Sequence, residues 1–158
     1  MQKNSHFPIG IVIAAVVIFL DQLSKWAIVS FLFIEQRVTW FFNLILAFNK
    51  GVSFSMLSGG APSTRWMLIG LSLSITALLV YWLIQKQSKL STTGLGLIIG
   101  GAIGNVIDRF VYGAVVDFLQ FHYNEYYFPT FNIADAAITI GVGLLILDTL
   151  LEKKDSNA

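Results

Sequence analysis

Cysteine is absent from this 158-residue sequence, which removes disulfides, thiolate metal sites and cysteine nucleophiles together. Histidine occurs only at His6 and His122, too few for a histidine metal cluster. Charge is also scarce: 12% of residues are charged, against about 25% in an ordinary soluble domain. The formal net charge is +1, so no basic field points to a nucleic-acid partner. The chemistry left is that of carboxylates, hydroxyls, amides, lysine and arginine. What the chain has in abundance is apolar surface, at 56% of residues.

That surface is gathered into four runs, about 9–33, 66–84, 94–112 and 133–151. Each is close to the roughly 20 residues that an α-helix needs to cross a hydrocarbon core. Lys3 ahead of the first apolar core gives it the look of a signal peptide. No small-residue cleavage site follows, and the pattern continues past Lys25, so it reads as an uncleaved span. The expected fold is a single all-α, four-span membrane domain over 1–158. Lys3, Lys86, Lys89, Lys153 and Lys154 fall on one side, against Arg37, Lys50, Arg65 and Arg109 on the other. The tight Lys86/Lys89 loop places both termini in the cytoplasm by the positive-inside rule.

Two connections are not ordinary linkers. Residues 39–48 (TWFFNLILAF) are apolar but too short to span. The turn signal Asn49-Lys50-Gly51 follows, and then 52–56 alternate with period two. The region about 35–57 therefore reads as a β-hairpin or cradle on the outer membrane face, packed on the helices because open strand edges are excluded at membrane depth. Residues 113–130 are semi-polar and aromatic, and read as a segment with a short interfacial helix.

Ionisable residues inside spans are functional hypotheses by default. Asp21 and Lys25 are spaced i, i+4 with the acid first, the better order for a helical ion pair. They read as a neutralising pair facing the bundle, or one of them orients groups of the outer-face loops. In the third span, Gly100, Gly101 and Gly104 allow close helix approach. Asn105, Asp108 and Arg109 then follow on one helical face, either joining helices or lining a site. Asp148, near the cytoplasmic end of the fourth span, reads as a solvated or snorkelling end residue.

The sharpest feature is a pair of acids at one face. Asp117 lies just past the third span, and Asp135 in the first turn of the fourth, sharing a helical face with Asn132. Two carboxylates held close share a proton. They can then activate a water and protonate a leaving amine. The alternative is that Asp135 complements a helix N-terminus and Asp117 is a solvated loop acid. Other hydrolytic signatures are missing: His-Glu-x-x-His, Gly-x-Ser-x-Gly and Gly-x-Gly-Asp do not occur.

In order along the chain stand Asp21-Gln22-Leu23-Ser24-Lys25, Asn49-Lys50-Gly51, Gly101-Ala102-Ile103-Gly104-Asn105-Val106-Ile107-Asp108-Arg109, Val116-Asp117-Phe118 and Phe131-Asn132-Ile133-Ala134-Asp135. With these five segments the chain resembles the bacterial lipoprotein signal peptidase (signal peptidase II) family. The resemblance implies an aspartyl endopeptidase of the bacterial cytoplasmic (inner) membrane. Such an enzyme removes signal peptides from diacylglyceryl-modified prolipoproteins, on the amino side of the lipidated cysteine. It implies Asp117 and Asp135 as catalytic, and Asn105 and Asn132 as orienting groups. Asn49, with Gly51 in its turn, and Arg109 would hold substrate, while Asp21, Lys25 and Asp108 would be structural. No metal or other cofactor is implied; membrane lipids and globomycin-type inhibitors are expected to bind. One departure is Val52, where the family usually has a small residue. The rival readings are a proton-coupled membrane transporter using its intramembrane acids and a Gly-packed scaffold. The acids cluster at one face and do not ladder across the bilayer, which speaks against the transporter.

Overall fold

The computed structural model describes residues 5–32, 35–51, 62–85 and 87–155. Four helices carry the apolar runs: α1 (Phe7–Phe31), α2 (Pro62–Ile84), α3 (Lys89–Val111) and α4 (Ile133–Asp155). All four are long and apolar enough to cross a membrane. Their outward side chains are large and apolar, Phe19, Leu78 and Leu150 among them, as a surface facing lipid requires.

α3 is the mostly buried helix; the others are mostly exposed and pack around it. Small residues make this arrangement possible. A methyl group added at Gly100 would lie 2.7 Å from the Ala14 carbonyl oxygen of α1. One added at Gly101 would collide with the Ala134 carbonyl oxygen of α4. Glycine on both faces lets two neighbouring backbones approach one helix, where lipid provides no hydrophobic drive for association.

One end of the bundle is roofed by a four-stranded antiparallel sheet, β1 (Gln36–Arg37), β2 (Phe42–Asn49), β3 (Val115–Tyr123) and β4 (Tyr126–Tyr127), in that order. β2 pairs with β3 from Phe42↔Phe121 to Asn49↔Val115, with a register shift between Leu44 and Ala47. The strand expected within 35–57 is thus present as β2. The second arm expected at 52–56 lies outside the described residues. The expected interfacial helix at 113–130 is corrected: this segment is β3, a turn and β4. Val115, Val116, Phe118, Phe121 and Tyr123 are β-branched or aromatic residues that suit a pleated surface. Asn124, with φ 52°, makes the turn between β3 and β4.

A second correction concerns Asp148, which is 8% exposed rather than solvated. Its Oδ2 accepts from Ser88 Oγ at 2.6 Å and Ser91 Oγ at 2.5 Å. Ser88 is itself the N-cap of α3, accepting from the Ser91 N–H at 2.9 Å. An acid beside a helix N-terminus is favourably placed, and here it joins α4 to the start of α3.

Candidate active site

The return path of the chain brings the two outer acids together. α3 ends at Val111 with Tyr112 as its C-cap, and Gly113 turns the backbone at φ +76°. β3 begins under the control of Asp108, whose Oδ2 accepts the Val116 N–H at 3.0 Å. After β4 the chain comes back alongside β3. The Leu119 N–H donates to the Phe131 carbonyl at 2.9 Å, and the Phe131 N–H to the Leu119 carbonyl at 3.1 Å. Asp117, two residues before Leu119, and Asn132, just after Phe131, are therefore neighbours.

Asn132 caps α4. Its Oδ1 accepts the Asp135 N–H at 2.9 Å, and the Asp135 carboxylate reaches back to the Asn132 N–H at 3.3 Å. This is a reciprocal capping box written with Asn and Asp. With the carbonyl end committed to the helix, the Asn132 amide nitrogen points away, 2.7 Å from Asp117 Oδ1. It also lies 3.2 Å from the Val116 carbonyl and from Asn105 Oδ1.

The same logic orients two more amides. An N–H group can only donate, so it fixes which end of an asparagine faces it. Lys25 Nζ lies 3.1 Å from Asn105 Oδ1, which turns the Asn105 amide nitrogen to Asp135 Oδ1 at 2.8 Å. The Gly51 N–H lies 2.9 Å from Asn49 Oδ1, which turns the Asn49 amide nitrogen to Asp117 Oδ2 at 3.0 Å. Gly51 adopts φ +85°, and a methyl group there would meet Leu68 at 2.7 Å, so glycine is required twice over.

Beneath the pair lies a buried ionic brace. Lys25 Nζ bridges Asp21 Oδ2 at 2.8 Å and Asp108 Oδ2 at 2.7 Å, all three residues being almost fully buried. With Asn105, these partners accept all three ammonium donors. Asp21 Oδ1 accepts the Ala134 N–H at 2.9 Å, a second cap on α4. A methyl group at Gly104 would fall 2.5 Å from Asp21 Oδ2. Gln22, quoted in the first motif but given no role at the sequence level, ties the brace together. Its amide donates to Asp108 Oδ1 at 2.9 Å and to Asp21 Oδ2 and the Gly104 carbonyl at 3.2 Å. A glutamine next to an intramembrane acid was the available signal.

The two acids differ in surroundings. Asp117 is 1% exposed. Burial pushes its pKa up to about 6, with the Asp135 charge adding to the rise and the amides of Asn49 and Asn132 opposing it. Asp135 is half-buried and faces a cavity of about 500 Å³ that it lines with Phe121, Phe128, Phe131, Ala136, Thr139 and Ile140. Arg109 is half-buried, donates to the Asn105 carbonyl at 3.1 Å, and lies within the fields of Asp135, Asp108 and Asp117. The ten residues singled out in the sequence thus form one connected cluster, with Gly51 joined to it through Asn49 and Arg109 through Asn105. Such a cluster holds two carboxylates on one asparagine, one of them beside a largely apolar cavity.

Comparison with known proteins shows the family to which the chain belongs. A family model described as signal peptidase (SPase) II matches residues 13–151. A lipoprotein signal peptidase of Ralstonia nicotianae is 51% identical over 137 residues, covering 84% of this chain and 79% of the relative. One from Rhizorhabdus wittichii is 42% identical over 157 residues, covering 96% and 91%. A solved structure described as a bacterial membrane enzyme superposes with a TM-score of 0.83 at 34% identity, covering 95% of this chain and 97% of that one.

Proposed function

The chain belongs to the signal peptidase II family and is a membrane protease, and from that premise we propose that it removes signal peptides from diacylglyceryl-modified prolipoproteins. The cut falls on the amino side of the lipidated cysteine, and Asp117 with Asp135 performs it. One observation carries the assignment: Asn132 closes a capping box with Asp135 while donating to Asp117 at 2.7 Å. Both acids are thereby held by one side chain.

The working form of the pair holds one proton. The unprotonated carboxylate takes a proton from water as the hydroxyl adds to the scissile carbonyl. The protonated partner gives its proton to the carbonyl oxygen, leaving a neutral diol. In the second half, one diol hydroxyl returns a proton to the carboxylate that gave one. The other acid protonates the cysteine nitrogen as the C–N bond breaks. One water is consumed, and the pair ends as it began.

Asn105 and Asn132 orient the acids, while Asn49 and Arg109 hold the substrate backbone at the scissile bond. Asp21, Lys25 and Asp108 keep α1, α3 and β3 in register beneath. A diacylated cysteine is confined to the interface between hydrocarbon and water, so a site at the end of the bundle meets it in its own plane. The chain sits in the bacterial cytoplasmic membrane with both termini in the cytoplasm, surrounded by membrane lipids, and globomycin-type inhibitors occupy the same cavity. Asp117→Asn and Asp135→Asn are each expected to lower cleavage of a lipid-modified prolipoprotein in liposomes about a thousandfold. Full activity in either variant removes that residue from the pair.

A further inference from the structure

The far end of the sheet carries a feature that the cleavage chemistry does not use. Beyond Leu119 the β3–β4 hairpin and the turn before β2 enclose an open basin of about 710 Å³, walled by Trp40, Phe41, Phe121, His122, Tyr127 and Phe128 among others. His122 is 8% exposed and stacks on Tyr127 at 5.4 Å. Among the described residues, neither of its ring nitrogens has a hydrogen-bond partner. Buried polar groups are nearly always paired, and leaving one unpaired is costly. Both nitrogens are sealed from the basin as the ring lies, so a ligand in the basin partners them only as the ring turns towards it.

The basin adjoins the cavity at Asp135, and Phe121 and Phe128 line both. From Asp135 the surface runs two ways. One arm follows Ala136, Thr139 and Ile140 along α4, and the other crosses the two phenylalanines to His122. The substrate also has two unlike halves. Its signal segment and acyl chains belong in hydrocarbon, whereas its mature segment leaves the membrane as peptide.

Resting on the function proposed above, we propose that the basin is a subsite for the mature segment just after the lipidated cysteine. His122 hydrogen-bonds that segment's backbone, and the aromatic walls pack on its side chains. His122 stands five positions beyond Asp117 on β3, about 17 Å at the rise of a strand. About five extended residues bridge that distance. Among the described residues no lysine or arginine lines the basin, which favours a peptide over a phospholipid phosphate.

The test uses two synthetic peptides with the same signal side and a diacylglyceryl cysteine, one ending two residues after the cysteine and the other eight. In mixed micelles the full-length enzyme is expected to cleave the longer with a kcat/KM about tenfold higher, the worth of one or two hydrogen bonds. His122→Phe keeps the ring but not the nitrogens, and Tyr126→Ala alters a wall side chain that is 82% exposed. A fall of the long-to-short ratio towards one in either variant supports the subsite. An unchanged ratio in both, or a wild-type ratio of one with both peptides cleaved, overturns it and leaves the peptidase reading standing. Rates that follow the phospholipid headgroup in the micelle, with a ratio of one, give the basin to lipid instead. Cleavage of neither peptide by the wild type overturns the peptidase reading and the subsite together.

Discussion

A lysine within a membrane helix is tolerable only when each of its N–H groups is accepted, and Lys25 meets that condition with Asp21, Asp108 and Asn105. Lys25→Met leaves two buried carboxylates without their counter-charge. Breaking one side of a buried ion pair costs about 3–5 kcal/mol, so a large drop in the unfolding temperature in detergent is expected. The Asn105 amide also loses the donor that orients it, so the fraction that stays folded is expected to cleave slowly. Asn49 offers a subtler experiment. Its amide holds the Asp117 pKa down against burial, at about 6. Asp117 loses its proton as pH rises through that value, so on the chemistry proposed above the alkaline limb of the activity profile is expected there. Asn49→Ala removes the opposing interaction, so the pKa rises and the alkaline limb of kcat/KM moves to higher pH. A limb that stays fixed or moves down contradicts this account. The acids and asparagines were legible in the sequence as residues of one region. The direction of each amide was not, because it depends on a donor from another element: Lys25 for Asn105, and the Gly51 N–H for Asn49.

At the scale of elements, Gly104 is where α3 meets the charged face of α1. Gly104→Ala places a methyl group 2.5 Å from Asp21 Oδ2, and the carboxylate also caps α4 through Ala134. Overpacking of this kind costs about 1–3 kcal/mol. The expected outcome is a lower unfolding temperature together with reduced cleavage; unchanged kinetics would show that the brace does not position the pair. The helices could be read from the chain because a bilayer demands about 20 apolar residues in a row, a local signal. The sheet was only half legible. β2 and β3 pair residues as distant as Asn43 and Gln120, 77 positions apart, and no local pattern announces such a partner. Without it, the aromatic run at 113–130 reads as an interfacial helix. Asp148 was misread for a similar reason, since its partners Ser88 and Ser91 belong to the other end of α3.

Over the whole molecule, α3 is the shaft around which α1, α2 and α4 stand, and the candidate site sits at the end where the sheet closes. The cytoplasmic placement of both termini is tested with reporters. A phosphatase active only outside the cytoplasm, fused after Asp155, is expected to be inactive, and a fluorescent protein active only inside to shine. The opposite pair of results would turn the site to the wrong side of the membrane for its substrate. The cap that Asp21 places on Ala134 has a consequence for how the enzyme is made. It joins residues 113 positions apart, from the earliest and the latest of the four helices. During synthesis α1 enters the membrane with Asp21 and Lys25 long before α4 exists. The ribosome must deliver the chain through residue 135 before the two acids can meet, so on the chemistry proposed above a shorter copy is expected not to cut.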